Sequence, residues 1–289
     1  MARAPVSGER IGIVAGGGML PAQIAQTLRK QGHDPFVIIV EGEPGQSPEL
    51  LDFANVSLPI EKFGRFLSEL KTRGVTQLVM AGSITRRPKL AAVEWTLDLL
   101  TMAPSMIPAL AMGDDALLTA VIRQVERRGI RIIGPHTIVP DLIAPLGALT
   151  AKRPDRASQR DIDAALTAAT AIGALDIGQA AVAIGGRTIA LEGIEGTDGL
   201  LSRVKDLRSH GRLAGRAGGV LAKCSKPQQE VRADLPSIGS QTVRDAFDAG
   251  LAGIAVEAGR TFVIDFDAAV KLANELGLFI VGVQVEPKH

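Results

Sequence analysis

The sequence predicts an α/β protein, with a parallel-sheet domain over residues 9–142 followed by a distinct mixed α/β domain over residues 143–289. Three observations predict it. From Arg10 onward, short apolar runs alternate with amphipathic stretches at the spacing of strand–helix units. A stretch from Gly134 to Asp155 carrying Pro135, Pro140, Pro145 and Pro154 breaks that rhythm and reads as a linker or hinge. Beyond it, two strand-like runs meet at Gly185-Gly186, a two-residue hairpin signal.

The elements follow in order. Ile11 to Ala15 is a buried-strand run, followed by Gly16-Gly17-Gly18 and a helix with Pro21 in its first turn, closed at Gly32. Pro35 to Val40 reads as a strand, Glu61 to Arg73 as a helix and Thr76 to Ala81 as a third strand. Asp115 to Arg128 is helical and Ile130 to Ile133 is a strand. After the proline-rich stretch come a helix near residues 160–175, the hairpin strands Ala180 to Ile184 and Thr188 to Leu191, and a helix from Asp198 to Ser209. A strand from Gly219 to Lys223 and a helix near residues 242–249 are next. Strands at 253–256 and 261–264, a helix at 267–276 and a closing strand at 279–285 complete the chain.

Composition bounds the function. Of the 289 residues, 46% are hydrophobic, which is ample for cores, while aromatics are only 3%, with no tyrosine and one tryptophan, Trp95. That argues against base-stacking platforms. A net charge of +1 creates no field that recruits nucleic acid. The solitary Cys224 excludes an intramolecular disulfide and a CxxC zinc ribbon, and suits a reducing compartment. The first ten residues lack an apolar core and read as a leader without structure. The longest charge-free run, Leu99 to Gly113, is fifteen residues with two prolines, short of the ~18–20 needed to span a bilayer. A soluble, cytoplasmic protein is expected.

The richest motif is Glu192-Gly193-Ile194-Glu195-Gly196-Thr197-Asp198, three carboxylates in seven residues between a strand and a helix. Such a group needs a cationic neighbour, a divalent metal or basic side chains, unless it is a solvated turn. Lys223 and the run Arg232-Ala233-Asp234-Leu235-Pro236 lie downstream. A carboxylate held in a loop by Pro236 suits Mg²⁺, which takes few carboxylates and completes its shell with substrate phosphate oxygens. The loop Gly16–Gly18 could offer backbone N–H groups to a phosphate, or be merely a tight turn. Against the dinucleotide fingerprint GxGxxG, Pro21 occupies the last glycine position. Gly82-Ser83-Ile84-Thr85-Arg86-Arg87-Pro88 reads as an anion clamp or a helix cap, and Gly113-Asp114-Asp115 as a helix start in which one carboxylate caps and the role of the other is open. Gln179, at the start of a strand, is a weak ligand signal. The four histidines have no zinc spacing. Cys224 reads as a buried strand-end residue.

The stretches Gly178-Gln179-Ala180, Glu192 to Asp198, Arg203 and Lys223 to Gly239, with Ala15 to Pro21, Gly82-Ser83 and Gly113-Asp114-Asp115, resemble the UDP-2,3-diacylglucosamine pyrophosphatases of the LpxI type. The likeness spans about Arg10 to Val285. Glu230 stands where that family's pattern suggests aspartate. The resemblance implies a Rossmann-like N-terminal domain, a substrate chamber between two domains, a homodimer, and Mg²⁺-dependent hydrolysis of UDP-2,3-diacylglucosamine to UMP and 2,3-diacylglucosamine 1-phosphate (lipid X) in lipid A biosynthesis. On that basis Asp234, Lys223 and Arg232 are the expected catalytic residues, and Asp234, Glu195 and Asp198 the expected metal ligands. Gly17, Gly18, Ser83, Gln179, Glu192, Thr197 and Arg203 are the expected substrate contacts. The Met- and Leu-rich segment Leu99 to Met112 either lines an acyl chamber or is ordinary core. Peripheral contact with the inner membrane is compatible with such a substrate. Two other classes compete: a Rossmann oxidoreductase, and a nucleotide or lipid carrier without catalysis.

Overall fold

The computed structural model describes residues 9–86 and 114–285, together with 93, 94, 99, 101, 102, 104, 106, 108 and 109. The leader up to residue 8, Arg87, Pro88, Trp95, Gly113, His289 and much of the 99–112 segment lie outside the described residues. The chain divides into two compact units, Met1–Pro140 with Glu230–Asp234, and Asp141–Gln229 with Leu235–His289. The segment Glu230–Asp234, late in the sequence, thus packs with the first unit.

The first unit is a five-stranded parallel sheet in the order β3-β2-β1-β4-β5. Its strands are β1 (Ile11–Ala15), β2 (Phe36–Val40), β3 (Ala54–Leu58), β4 (Gln77–Ala81) and β5 (Arg131–Ile133). Its helices are α1 (Leu20–Lys30), α2 (Phe63–Thr72) and α3 (Asp114–Glu126). β2 is buried at all five positions, as a parallel strand covered on both faces must be. Phe36, Ile38, Val40 and Leu78 share one core with Phe66, Leu67 and Leu70 of α2 and Ile122 and Val125 of α3. Met102 and Met106 join that same core, so the described methionines of the 99–112 segment are ordinary core residues. The sequence reading missed β3, an edge strand with only Leu58 buried, because Ala-Asn-Val-Ser-Leu carries no apolar run.

The second unit holds a six-stranded mixed sheet, β6-β13-β11-β9-β7-β8. β7 (Ala180–Ile184) and β8 (Arg187–Leu191) form the expected hairpin, with positive φ at both Gly185 and Gly186. β9 (Val220–Lys223), β11 (Gly253–Glu257) and β13 (Phe279–Val283) are parallel to one another, and β7 runs antiparallel to β9. A separate pair, β10 (Ser237–Ile238) with β12 (Phe262–Val263), is parallel. The proline-rich stretch is not a bare linker. It supplies two short 3-10 turns, Pro135–Thr137 and Pro140–Leu142, and strand β6 (Gly147–Ala148), which pairs antiparallel with β13. Prolines that forbid a helix still permit 3-10 turns and an edge strand.

Alternation along the strands sorts this sheet into two faces. Val182, Ile184, Leu221, Ile254, Val256 and Ile280 meet helices α5 (Gly196–Leu207), α6 (Ser240–Asp248) and α7 (Phe266–Glu275). The opposite face, with Ala183, Ala222 and Ala255, takes Ile162 and Ala165 of α4 (Arg156–Ala174), where small side chains let the long helix come close.

The first sheet has its switch point between β1 and β4, where ligands of doubly wound sheets usually bind. There the two strand-end loops interlock. Gly17 N–H donates to Ser83 O at 2.7 Å and Ser83 N–H returns to Gly17 O at 3.1 Å. Gly82 has φ +86, and a Cβ on it would stand 2.5 Å from Gly17 O. Gly82→Ala is therefore expected to cost about 3 kcal/mol. Gly74→Ala, also at positive φ but with nothing within 4 Å, is expected to cost about 1 kcal/mol. Urea unfolding of the two variants checks this difference.

Candidate active site

Strand directions bring most of the sequence-predicted residues to one end of the second sheet. Because β7 runs antiparallel to β9 and β8, the start of β7, the end of β8 and the end of β9 share that edge. Gln179, Glu192 and Lys223 therefore become neighbours. Period-two alternation puts Lys223 on the same face as Leu221, the face covered by α5, whose first turn carries Thr197.

These four residues form one hydrogen-bonded network, Gln179 joining it through its backbone N–H. Lys223 is 8% exposed and Glu192 6%. Lys223 Nζ donates to Thr197 Oγ1 at 2.9 Å and to the carbonyl of Ser237 at 3.0 Å. The Thr197 hydroxyl in turn donates to Glu192 Oε1 at 2.6 Å, and Glu192 Oε2 accepts the N–H of Gln179 at 2.7 Å. Gly178 makes the approach possible, since a Cβ there would stand 2.5 Å from the Glu192 carbonyl. Glu192 is thus satisfied from within the protein, as the buried counter-charge of Lys223 through Thr197. Gln179 Oε1 is buried without a hydrogen-bond partner among the described residues, the kind of acceptor a ligand donor can satisfy.

The remaining acidic residues of the motif are differently placed. Glu195 is paired with Arg203 at 2.7 Å, and Arg203 also donates to the Leu191 carbonyl. These two expected contacts, one for metal and one for substrate, are directed at each other. Asp198 is exposed in the first turn of α5. Its charge, after burial, helps raise the carboxyl of Asp245 above the ordinary aspartate range.

Residues that the sequence reading passed over complete this end. Glu257, at the end of β11, is 7% exposed and accepts from both the N–H and the hydroxyl of Ser225, at 2.8 and 2.6 Å. Arg260 Nη1 lies 3.3 Å from the same hydroxyl. Only the pairing of β9 with β11 brings 225 and 257 together, so no local motif reveals them. Cys224 is 1% exposed, as expected, and burial pushes its thiol up to about 11. It is inert at neutral pH.

In the first unit, the N–H groups of the glycine loop are used within the protein. Gly16, Gly17 and Gly18 donate their N–H groups to Ala81 O, Ser83 O and Pro44 O, at 2.8, 2.7 and 3.1 Å. The N–H cradle for a phosphate is closed by the protein itself. Any contact from Gly17, Gly18 or Ser83 has to come from close backbone approach or the exposed Ser83 side chain. Arg86 donates to the Glu41 carbonyl and sits 3.8 Å from the buried Glu43, whose other oxygen accepts from Thr85 N–H and Oγ1, each at 2.8 Å. Glu41 therefore meets Arg86 through its backbone.

The third group is the turn Glu230–Asp234. Arg232, expected to balance phosphate charge, is instead held by two carboxylates. Its Nε and Nη2 donate to Glu230 at 2.9 and 2.8 Å, and its Nη1 donates to Glu126 Oε1 at 2.6 Å. The hydrogen bond from Arg232 holds the Glu230 carboxyl below the usual glutamate range, and the two carboxylates raise Arg232 further above its own. Asp234 ends the turn.

Among the described residues, no three of His, Cys, Asp and Glu form a group that could hold a metal ion. Magnesium does not require one, since it is held by one or two carboxylates plus water and substrate oxygens. Of the three expected ligands, the Glu195 carboxylate is engaged by Arg203.

These features define the class: a two-domain α/β protein with a doubly wound N-terminal sheet and an ionic network at the end of a mixed C-terminal sheet. Residues 10–142 match the LpxI N-terminal domain and residues 145–281 the LpxI C-terminal domain. The chain belongs to the LpxI family. It is 40% identical over 281 residues to UDP-2,3-diacylglucosamine pyrophosphatase LpxI of Caulobacter vibrioides (strain ATCC 19089 / CIP 103742 / CB 15), covering 96% of this chain and 99% of the relative. Among solved structures, a short chain dehydrogenase/reductase family oxidoreductase from Burkholderia thailandensis aligns at 12% identity and TM-score 0.27, over 78% of this chain and 74% of that one. A putative epimerase from Burkholderia cenocepacia J2315 aligns at 12% identity and TM-score 0.29, over 98% and 86%. Scores this low bear on neither fold nor function.

The lowered Glu230 carboxyl has a consequence for stability. Its folded value lies below the ordinary 4.5, so its link to Arg232 stabilises the fold above about pH 4.5 and loses that effect as pH falls through the lowered value. Glu230→Gln is expected to be about 1 kcal/mol less stable than wild type at pH 7, with the gap closing towards pH 3. Chemical denaturation at both pH values measures it.

Proposed function

We propose that this protein hydrolyses the pyrophosphate bond of UDP-2,3-diacylglucosamine, giving UMP and 2,3-diacylglucosamine 1-phosphate (lipid X) in lipid A biosynthesis. The observation that carries this reading is the match of both LpxI domains, together with near full-length identity to a relative named for that activity.

Hydrolysis of a pyrophosphate needs charge neutralised on the phosphoryl oxygens and a water held in line, more than a protein nucleophile. Asp234 is assigned as the carboxylate that holds Mg²⁺ or orients the water. Mg²⁺, when bound, would neutralise charge on the phosphoryl oxygens. Lys223 supplies fixed positive charge, its Nζ set by Thr197 and Ser237. Gln179 Oε1, buried and unpartnered, is the acceptor for a donor group of the substrate. Arg232 is left out of direct phosphate binding, because Glu230 and Glu126 already hold it.

The protein is further proposed to act in the cytoplasm as a homodimer, in peripheral contact with the inner membrane that holds its substrate. No helix among the described residues is long and apolar enough to cross a membrane. Sedimentation and liposome flotation address these points.

The decisive assay incubates the protein with UDP-2,3-diacylglucosamine and follows UMP. Release that stops with EDTA and returns with Mg²⁺ is expected. Stoichiometric binding without release makes the protein a carrier and removes the reaction. Asp234→Ala is expected to lower kcat by at least about 100-fold; turnover near wild type takes Asp234 out of the chemistry.

A further inference from the structure

The turn that ends in Asp234 is fastened at three levels. The N–H groups of Ala233 and Asp234 both return to the Glu230 carbonyl, at 3.0 and 2.9 Å. The Glu230 carboxylate closes over the same turn, taking the N–H of Arg232 at 3.2 Å as well as its Nε and Nη2. Ala233 packs against the core of the first unit. A further N–H of the guanidinium, on Nη1, donates to Glu126 in the last turn of α3, 106 positions away in sequence.

We propose that Glu126 is a positioning residue: through Arg232 it fixes the turn that ends in Asp234, and with it the direction in which the Asp234 carboxylate is presented. This rests on the assignment of Asp234 above. The geometry gives Glu126 a role that Glu230 cannot fill. Glu230 lies within the turn and can only stiffen it, whereas Glu126 stands on a helix and ties the turn to the scaffold. The planar guanidinium suits that task, because its fork can hold two carboxylates in fixed directions at once. Two carboxylates facing one guanidinium also leave no surplus positive charge to offer a phosphate. The pair is partly exposed, at 33% for Arg232 and 36% for Glu126, so its contribution is to orientation more than to global stability.

The test compares wild type, Glu126→Ala and Glu126→Asp by two readouts. Amide hydrogen exchange at Ala233 and Asp234 is expected to quicken about tenfold in Glu126→Ala, with the sheet amides of the first unit unchanged. With UDP-2,3-diacylglucosamine, kcat is expected to fall about tenfold while KM stays within about twofold, since loss of orientation acts on the chemical step. Glu126→Asp is expected to recover part of both effects. Unchanged exchange at Ala233 and Asp234 overturns the tether, and faster exchange with an unchanged kcat overturns its positioning role. If Glu126→Ala fails to fold, Glu126→Met makes the same comparison with side-chain volume nearly kept and no oxygen acceptor for Arg232. A wild-type protein that releases no UMP removes the reaction, while the exchange data still decide whether Glu126 holds the turn.

Discussion

A lysine and a glutamate buried at the same end of one sheet impose the strongest constraint in this molecule. Taking an ion out of water costs several kcal/mol even after the protein relaxes. Lys223 and Glu192 therefore have to be answered by hydrogen bonds of good geometry. The Thr197 hydroxyl stands between them, accepting from one and donating to the other. That arrangement ties together a strand end, the loop after the hairpin and the first turn of α5. The Ser237 carbonyl adds the short β10 segment, and the Gln179 N–H adds the start of β7. Five pieces of chain are thereby set relative to one another around one ammonium group.

Each carboxylate of the acidic run has its own setting in the fold. Glu192 serves the buried lysine, Glu195 pairs with Arg203, and Asp198 opens α5, where a negative charge meets the positive end of the helix dipole. In the first unit the glycines follow a similar logic. Gly16, Gly17 and Gly82 allow two strand-end loops to pack backbone against backbone, which consumes the N–H groups a phosphate would otherwise use. Both motifs look like ligand signatures in sequence, and in both much of the residue choice answers an internal packing demand.

The doubly wound first half was legible because β1, β2 and β4 are continuous apolar runs separated by amphipathic helices, the pattern a sheet covered on both faces requires. The hairpin was legible from Gly185-Gly186, since consecutive residues at positive φ leave a clear chemical trace. The edge strand β3 and the short strands β6 and β10 were not, because a partly exposed or two-residue strand needs no hydrophobic period. The family likeness singled out Gln179, Glu192, Thr197 and Lys223 together, and the sheet brings these four into contact. It could not reveal that Arg232 faces Glu126, or that Ser225 faces Glu257. Those partners lie 106 and 32 positions apart and meet only through the tertiary fold.

The most direct measurement of the Lys223 constraint is a double-mutant cycle joining Glu192→Gln and Thr197→Val, read by equilibrium unfolding. If the hydroxyl links the buried ions, each single change disrupts the same network, and the double variant is less destabilised than the sum of the two by about 1 kcal/mol or more. Additive losses, within about 0.3 kcal/mol, would mean that Lys223 and Glu192 are accommodated independently, and the network would not organise this end of the sheet.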